Sequence, residues 1–147
     1  MSLKEQLMID LKEAMKEKDI IRKNTITLIR SAILQYEKDK LTQLDENGVI
    51  DIIAKEQKKR KDALVEFEKS GRQDLIDDLK KEMEVIKGYL PEELSVEELT
   101  SIIKETIVEV DAKDMKDMGK VMQAVKAKTS GRADGRTINE IVKKELA

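Results

Sequence analysis

LIDDLKKEMEVIKGYLPEELSVEEL, residues 75–99, holds two periods of apolar residues with a break between them. Leu75, Leu79, Met83, Ile86 and Leu90 recur at intervals of three and four, which is one stripe of an amphipathic helix. Pro91 is the only proline. It lacks an amide hydrogen and fixes φ, so the helix is expected to run to this point and stop. Ser95 with Glu98 has the S-x-x-E form of a capping box and opens a new stripe through Leu99, Ile102, Ile103 and Ile107. LPEELS therefore reads as a hinge or boundary, with a helical subdomain over residues 1–90 and a second over 91–147.

The same grammar extends in both directions. Ser2 with Glu5 opens a first helix on Leu3, Leu7, Met8, Leu11, Ala14 and Met15, and Asp19 caps a second on Ile26, Ile29, Ile33 and Tyr36. Asp45 or a near neighbour starts a third through Val49, Ile52, Ile53, Leu64 and Phe67, closed by Gly71. Beyond the boundary, Asp114 caps a sixth helix whose stripe is Met115, Met118, Met122 and Val125. Asp134 caps a seventh on Ile138, Ile141, Val142 and Leu146. Strand signals and fixed-period repeats are absent. The predicted fold is all-α, with two helical subdomains of about four and about three helices.

Composition narrows the chemistry. The 147 residues are 41% charged and 39% hydrophobic, with six glycines. A chain of this length buries roughly 68–70% of its unfolded surface, enough for a stable core. There is no cysteine and no histidine. That removes disulfides, Cys–His and Ser–His catalysis and the usual zinc sites. No Walker loop or dinucleotide fingerprint is present. Ser70, Ser101 and Ser130 lie near lysines, as expected by chance in so charged a chain. No catalytic residue, metal ligand or cofactor is assigned. The first nineteen residues mix acids and bases without an apolar core, and no run is long enough to span a bilayer. The expected location is cytoplasmic, with no membrane partner. Aromatic residues are Tyr36, Phe67 and Tyr89 alone. An RNA-binding surface on this chain would read shape and phosphates rather than stack exposed bases.

The net charge of −2 conceals a segregation. Residues 84–114 carry nine acids against three bases, a net of −6, whereas residues 115–147 carry eight bases against four acids, a net of +4. At roughly 100° per residue, Lys116, Gly119, Lys120, Gln123, Lys126 and Ala127 fall on one arc of the sixth helix, with Arg132 and Arg136 following it. Glycine inside a helix costs about 1 kcal/mol relative to alanine. Gly119 either eases packing within the protein, leaving the lysines as a solvated face, or lets a sugar-phosphate backbone approach. The N-terminus expected at Asp134 has free N–H groups that can hold a phosphate, although a plain N-cap is the first role of that residue. KEQKKRK in the third helix gives a second basic surface at Lys58, Lys59, Arg60 and Lys61. There Glu56, Gln57 and Arg60 interrupt the apolar stripe. Either the helix leaves the core with the Arg60 head in water, or a polar cleft lies at that level; the first is the reading taken.

DMGKVM, GRADG and TINEIVKKEL, with EFEKSGRQDL and YLPEELS upstream, resemble the YqeY family over essentially the whole chain. That family is similar to the C-terminal tail of GatB, a subunit of the tRNA-dependent amidotransferase. The matched positions are Gly119, Lys120, Val121 and Met122, then Gly131, Ala133, Asp134 and Asn139; the GatB tail more often has Asn-Pro in place of Asp134-Gly135. The resemblance implies two helical subdomains and a contact with tRNA or another structured RNA, alone or beside amidotransferase subunits. The kinase-like catalytic part of GatB has no counterpart here. Two other functions stay open: a carbon–nitrogen ligase activity with glutamine as amido donor, by family inheritance, and a protein-binding adaptor using LPEELSVEEL.

Overall fold

A computed structural model describes residues 1–147. Five of the seven α-helices begin where a short polar side chain takes up a free backbone N–H. Ser2 Oγ accepts from the Glu5 amide to open α1 (Leu3–Glu17), and Asp19 from the Arg22 amide to open α2 (Ile20–Lys40). Asp45 accepts from the Gly48 amide at the start of α3 (Glu46–Ser70), and Gly71, at φ 71°, ends it in the left-handed conformation. α4 spans Gln73–Lys87. Ser95 and Glu98 exchange both bonds of a capping box ahead of α5 (Val96–Glu109). Asp114 caps a 3₁₀ turn, Met115–Asp117, that leads into α6 (Met118–Lys128), and Asp134 caps α7 (Gly135–Leu146). The architecture is all-α, and its seven α-helices divide into two compact units, Met1–Leu90 and Pro91–Ala147.

α4 stops three residues before the expected point. Leu90 lies in a turn, where the Tyr89 and Leu90 amides donate to the carbonyls of Ile86 and Lys87. The residue before a proline is pushed out of the helical region by the pyrrolidine ring, and Gly88 is a weak helix former, so the last turn tightens and ends early.

In the first unit, Leu7, Ile26, Ile29, Ile33, Val49, Ile53 and Ile86 form the core. Each such side chain contributes about 1.5–3 kcal/mol by leaving water. Polar contacts fix the ends of the helices around it. Glu37 pairs with Lys4 and accepts from the Leu44 amide at 2.7 Å, and the Glu46 carboxylate accepts from the Leu3 amide at 3.0 Å. These bonds hold the Glu37 carboxyl below the usual range, the Lys4 bond most of all. Tyr89 donates its hydroxyl to Asp10 at 2.5 Å, and Asp10 also accepts from Gln6. Burial, then that hydrogen bond, pushes the Tyr89 phenol well above its ordinary value.

α3 does not leave the core at Gln57 and Arg60. Both are buried, at 8% and 7% exposure. The Arg60 guanidinium donates to the backbone carbonyl of Glu56 at 2.9 Å and pairs with the Glu56 carboxylate at 3.1 Å and with Glu82 of α4 at 3.4 Å. Gln57 Nε2 donates to the Met83 carbonyl at 3.0 Å, while its Oε1 has no partner. The expected Arg60 head in water is therefore corrected to a polar seam between α3 and α4. A charged head enters because two carboxylates and a carbonyl receive it there.

The second unit is built on Leu99, Ile103, Val121, Val125, Ile138, Val142 and Leu146. Its irregular start is tied down at two points. The Leu94 amide donates to the Arg132 carbonyl at 2.8 Å, and Arg132 Nε donates to the Glu92 carbonyl at 3.2 Å. The segment 92–94 and the loop 129–134 therefore fix each other.

Candidate nucleic-acid interface

α6 presents two unlike faces. Val121 and Val125 are buried, Met118 and Met122 are half-buried and Met115 is exposed. The inward face is thus centred on the valines rather than on the methionines, a rotation of roughly 60° from the expected stripe. The shorter, stiff valines sit deepest against α5 and α7, and the flexible methionines border them. The rotation places Gln123 nearly opposite the core. Gly119, Lys120, Gln123, Lys126 and Ala127 are all exposed, and Lys116 is exposed on the preceding 3₁₀ turn.

Lys116, Lys120 and Lys126 make no ion pair with any carboxylate of the chain; nor does Arg136, exposed in the first turn of α7. Gly119 adopts ordinary helical geometry, and a Cβ built on it meets nothing within 4 Å. It therefore does not ease packing inside the protein. Its place in the first turn of α6 softens its cost to the helix, and the surface above it is flat and open. Lys128, by contrast, turns inward. Its ammonium donates to Glu109 at 2.5 Å and to Thr106 at 3.1 Å, so it clamps α6 to α5 and is withdrawn from the basic face.

Two acids complete the surface. Asp117 accepts from the Lys113 amide at 2.9 Å. That bond, followed by the charge of Lys120, holds its carboxyl below the ordinary carboxylate range, so it remains an anion beside the lysines. No pattern in the sequence marked it as part of this face. Asp134 accepts from the Arg136 amide at 3.2 Å. Its carboxylate occupies the N-terminus of α7 and repels a phosphate there, which removes the anion site considered at that helix end. Arg132 is half-buried and tied to Glu92, so its stem positions the loop.

The second basic surface is broken up. Lys58 and Lys59 are exposed, but Lys59 pairs with Glu56 at 3.2 Å, Lys61 is only half-exposed, and Arg60 belongs to the interior seam. Arg60 is therefore corrected from a surface residue to a buried one. Among the serines near lysines, Ser70 donates its hydroxyl to the Phe67 carbonyl. No group of three acidic side chains converges as metal ligands would. No helix is long and apolar enough to cross a membrane.

Comparison with known proteins supplies the family. The model of the YqeY family, described as Yqey-like protein, matches residues 4–146. The chain belongs to the YqeY family. Among its relatives is the altered inheritance of mitochondria protein 41, mitochondrial, of Lachancea thermotolerans. The two are 43% identical over 82 residues, or 55% of this chain and 44% of that protein. The Kluyveromyces lactis protein of the same name is 41% identical over 81 residues, covering 54% and 44%. The one from Pyrenophora tritici-repentis is 27% identical over 128 residues, covering 84% and 71%. The chain thus spans less than half the length of the first two. All these YqeY relatives are mitochondrial by name, which overturns the cytoplasmic location expected from the first nineteen residues. Residues 3–17 form α1, a helix of the first unit, so their composition is set by folding.

Proposed function

We propose that the second unit is a non-catalytic module for structured RNA, binding the phosphate backbone across the outward face of α6. The observation that carries this reading is three unpaired lysines, Lys116, Lys120 and Lys126, around a glycine with open space above it. A ribbon of fixed positive charge with low relief suits a polyanion whose backbone comes close. Arg136 extends the face, and Arg132 shapes the adjoining loop. The similarity of this segment to the GatB tail makes tRNA the RNA of choice and amidotransferase subunits the companions to look for.

Three or four phosphate contacts release about 0.7 to 0.9 ions each, so log K against log salt should fall with a slope of roughly −2 to −4. The test is an anisotropy titration with tRNA at several salt concentrations. Lys120→Glu with Lys126→Glu should weaken binding to all RNA sequences alike, because phosphate contacts do not specify bases. Folded tRNA should outcompete an unstructured strand of equal length. No binding at low salt, or binding indifferent to the double reversal, returns the face to a solvated helix surface. Glutamine hydrolysis or tRNA amidation by the purified chain would replace the proposal with a carbon–nitrogen ligase. Nuclease-insensitive co-purification with one protein would replace it with an adaptor.

A further inference from the structure

Eight of the twelve large apolar side chains that the fold leaves exposed lie within residues 1–41. Apolar exposure therefore belongs to the α1–α2 hairpin rather than to the chain at large. Between these helices runs an open groove of about 580 Å³ floored by apolar side chains, with Met8, Ile9 and Leu34 on its walls. Leu34 is 60% exposed. Glu5 and Arg30 also line it, and neither makes an ion pair; Lys12, one turn beyond Met8 on α1, makes none either.

The charges of α1 have an order that selects the occupant. Lys4 and Glu5 precede the midpoint between Met8 and Ile9, and Lys12 and Glu13 follow it at equal distance. Turning the helix end for end about that midpoint sets Glu5 opposite Lys12 and Met8 opposite Ile9, with Lys4 and Glu13, already paired to Glu37 and Arg22, at the flanks. A surface whose charges complement themselves under a half-turn is the requirement of an isologous two-fold contact. Glu5 and Glu37 balance Lys4 and Arg30 in the groove, which leaves no net positive charge to draw a polyanion, and an unrelated helix gives no reason for the symmetric order.

We propose that the α1–α2 face is a two-fold interface with a second copy of this chain, each α1 lying antiparallel in the other's groove. Met8 then packs on the partner's Ile9, Leu34 closes one side, and Glu5 meets the partner's Lys12. Two helical hairpins joined in this way make a four-helix layer with a continuous apolar seam.

The experiment is sedimentation equilibrium of the full chain from about 1 to 500 μM, a range that brackets the micromolar affinities of modest interfaces. The mass should rise from the 16.8 kDa of one chain to twice that value. Leu34→Asp should raise the dissociation constant about tenfold or more by placing a charge in the seam. Glu5→Lys and Lys12→Glu should each weaken the dimer severalfold, and the two together in one chain should restore it, since opposite charges again face each other. These positions are at the helix surface, and circular dichroism is the check that each variant is folded. A single-chain mass throughout, a dimer unaffected by Leu34→Asp, or charge variants not rescued by the double swap would overturn the proposal.

Discussion

Two stretches of this chain are basic in sequence, the first more densely than the second, and the fold treats them in opposite ways. Lys55–Lys61 of α3 carries a charge into the interior, where Arg60 lies between Glu56 and Glu82. Lys116–Lys126, across the 3₁₀ turn and α6, keeps its cations in water and unpaired. Charge density therefore does not locate a binding surface. What separates the two is whether a cation falls within the apolar arc of its helix, where carboxylates of a neighbouring helix can capture it, or opposite that arc. Buried charge serves the fold, and on the proposed reading the unpaired surface charge serves a ligand, so substitutions in the two stretches should act on different observables.

The largest effect belongs to Arg60. Arg60→Ala leaves two carboxylates facing each other without their cation and should cost about 3 kcal/mol, read as a lower urea midpoint. Arg60→Met keeps the stem packing and should cost less. A loss below about 0.5 kcal/mol for Arg60→Ala would make α3 a surface like α6 and erase the contrast.

Tyr89 sharpens the interior side. Tyr89→Phe removes a hydrogen bond to the ionised Asp10 and should cost about 1.5 kcal/mol at neutral pH. The folded phenol has a raised pKa, so the protein holds its proton at a pH where the unfolded chain has lost it. Stability from this group is full below about pH 10 and falls as pH rises through the folded value. Thermal melts from pH 8 to 11 should decline more steeply for the wild type than for Tyr89→Phe, and parallel curves would count against the bond.

Gly119→Ala meets no atom within 4 Å and should stabilise α6 by a few tenths of a kcal/mol, up to about 1. Gly119→Leu starts from the same clear Cβ position on an exposed face, so it should leave the free protein folded and lower tRNA affinity, if the phosphate backbone approaches the helix there. Unchanged affinity for Gly119→Leu separates the lysines from the glycine and confines the interface to charge. The smallest stability effect is that of Lys120→Glu with Lys126→Glu, expected within about 0.5 kcal/mol of the wild type in urea, because neither lysine has an internal partner. A large loss would mean that these lysines support the fold as Arg60 does.

How much was legible follows from the range of each interaction. The caps at Ser2, Asp19, Asp45, Ser95, Asp114 and Asp134 bond to amides two or three residues away, so local sequence contains them whole. The burial of Arg60 depends on Glu82, 22 residues on, and the tether of Arg132 on Glu92, 40 residues back. The valine-centred rotation of α6 depends on α5 and α7 together. Periodicity marks a stripe, but the centre of that stripe is chosen by what packs on it. On the candidate surface, spacing grouped Lys116, Lys120 and Lys126 on one arc and left Lys128 outside it; it did not show that Glu109 and Thr106 engage Lys128.

The mutual tether of residues 92–94 and 129–134 bears on how fast a ligand is captured. The loop carries no regular structure, yet one of its carbonyls and one of its side chains are engaged by a segment distant in sequence. Its shape is thus set before any encounter, and the entropy of ordering it is charged to folding rather than to association. On the proposed reading, an RNA arriving under electrostatic attraction would meet a finished surface, and its capture rate would be governed by diffusion and ionic strength, with no slow rearrangement of the loop to wait for.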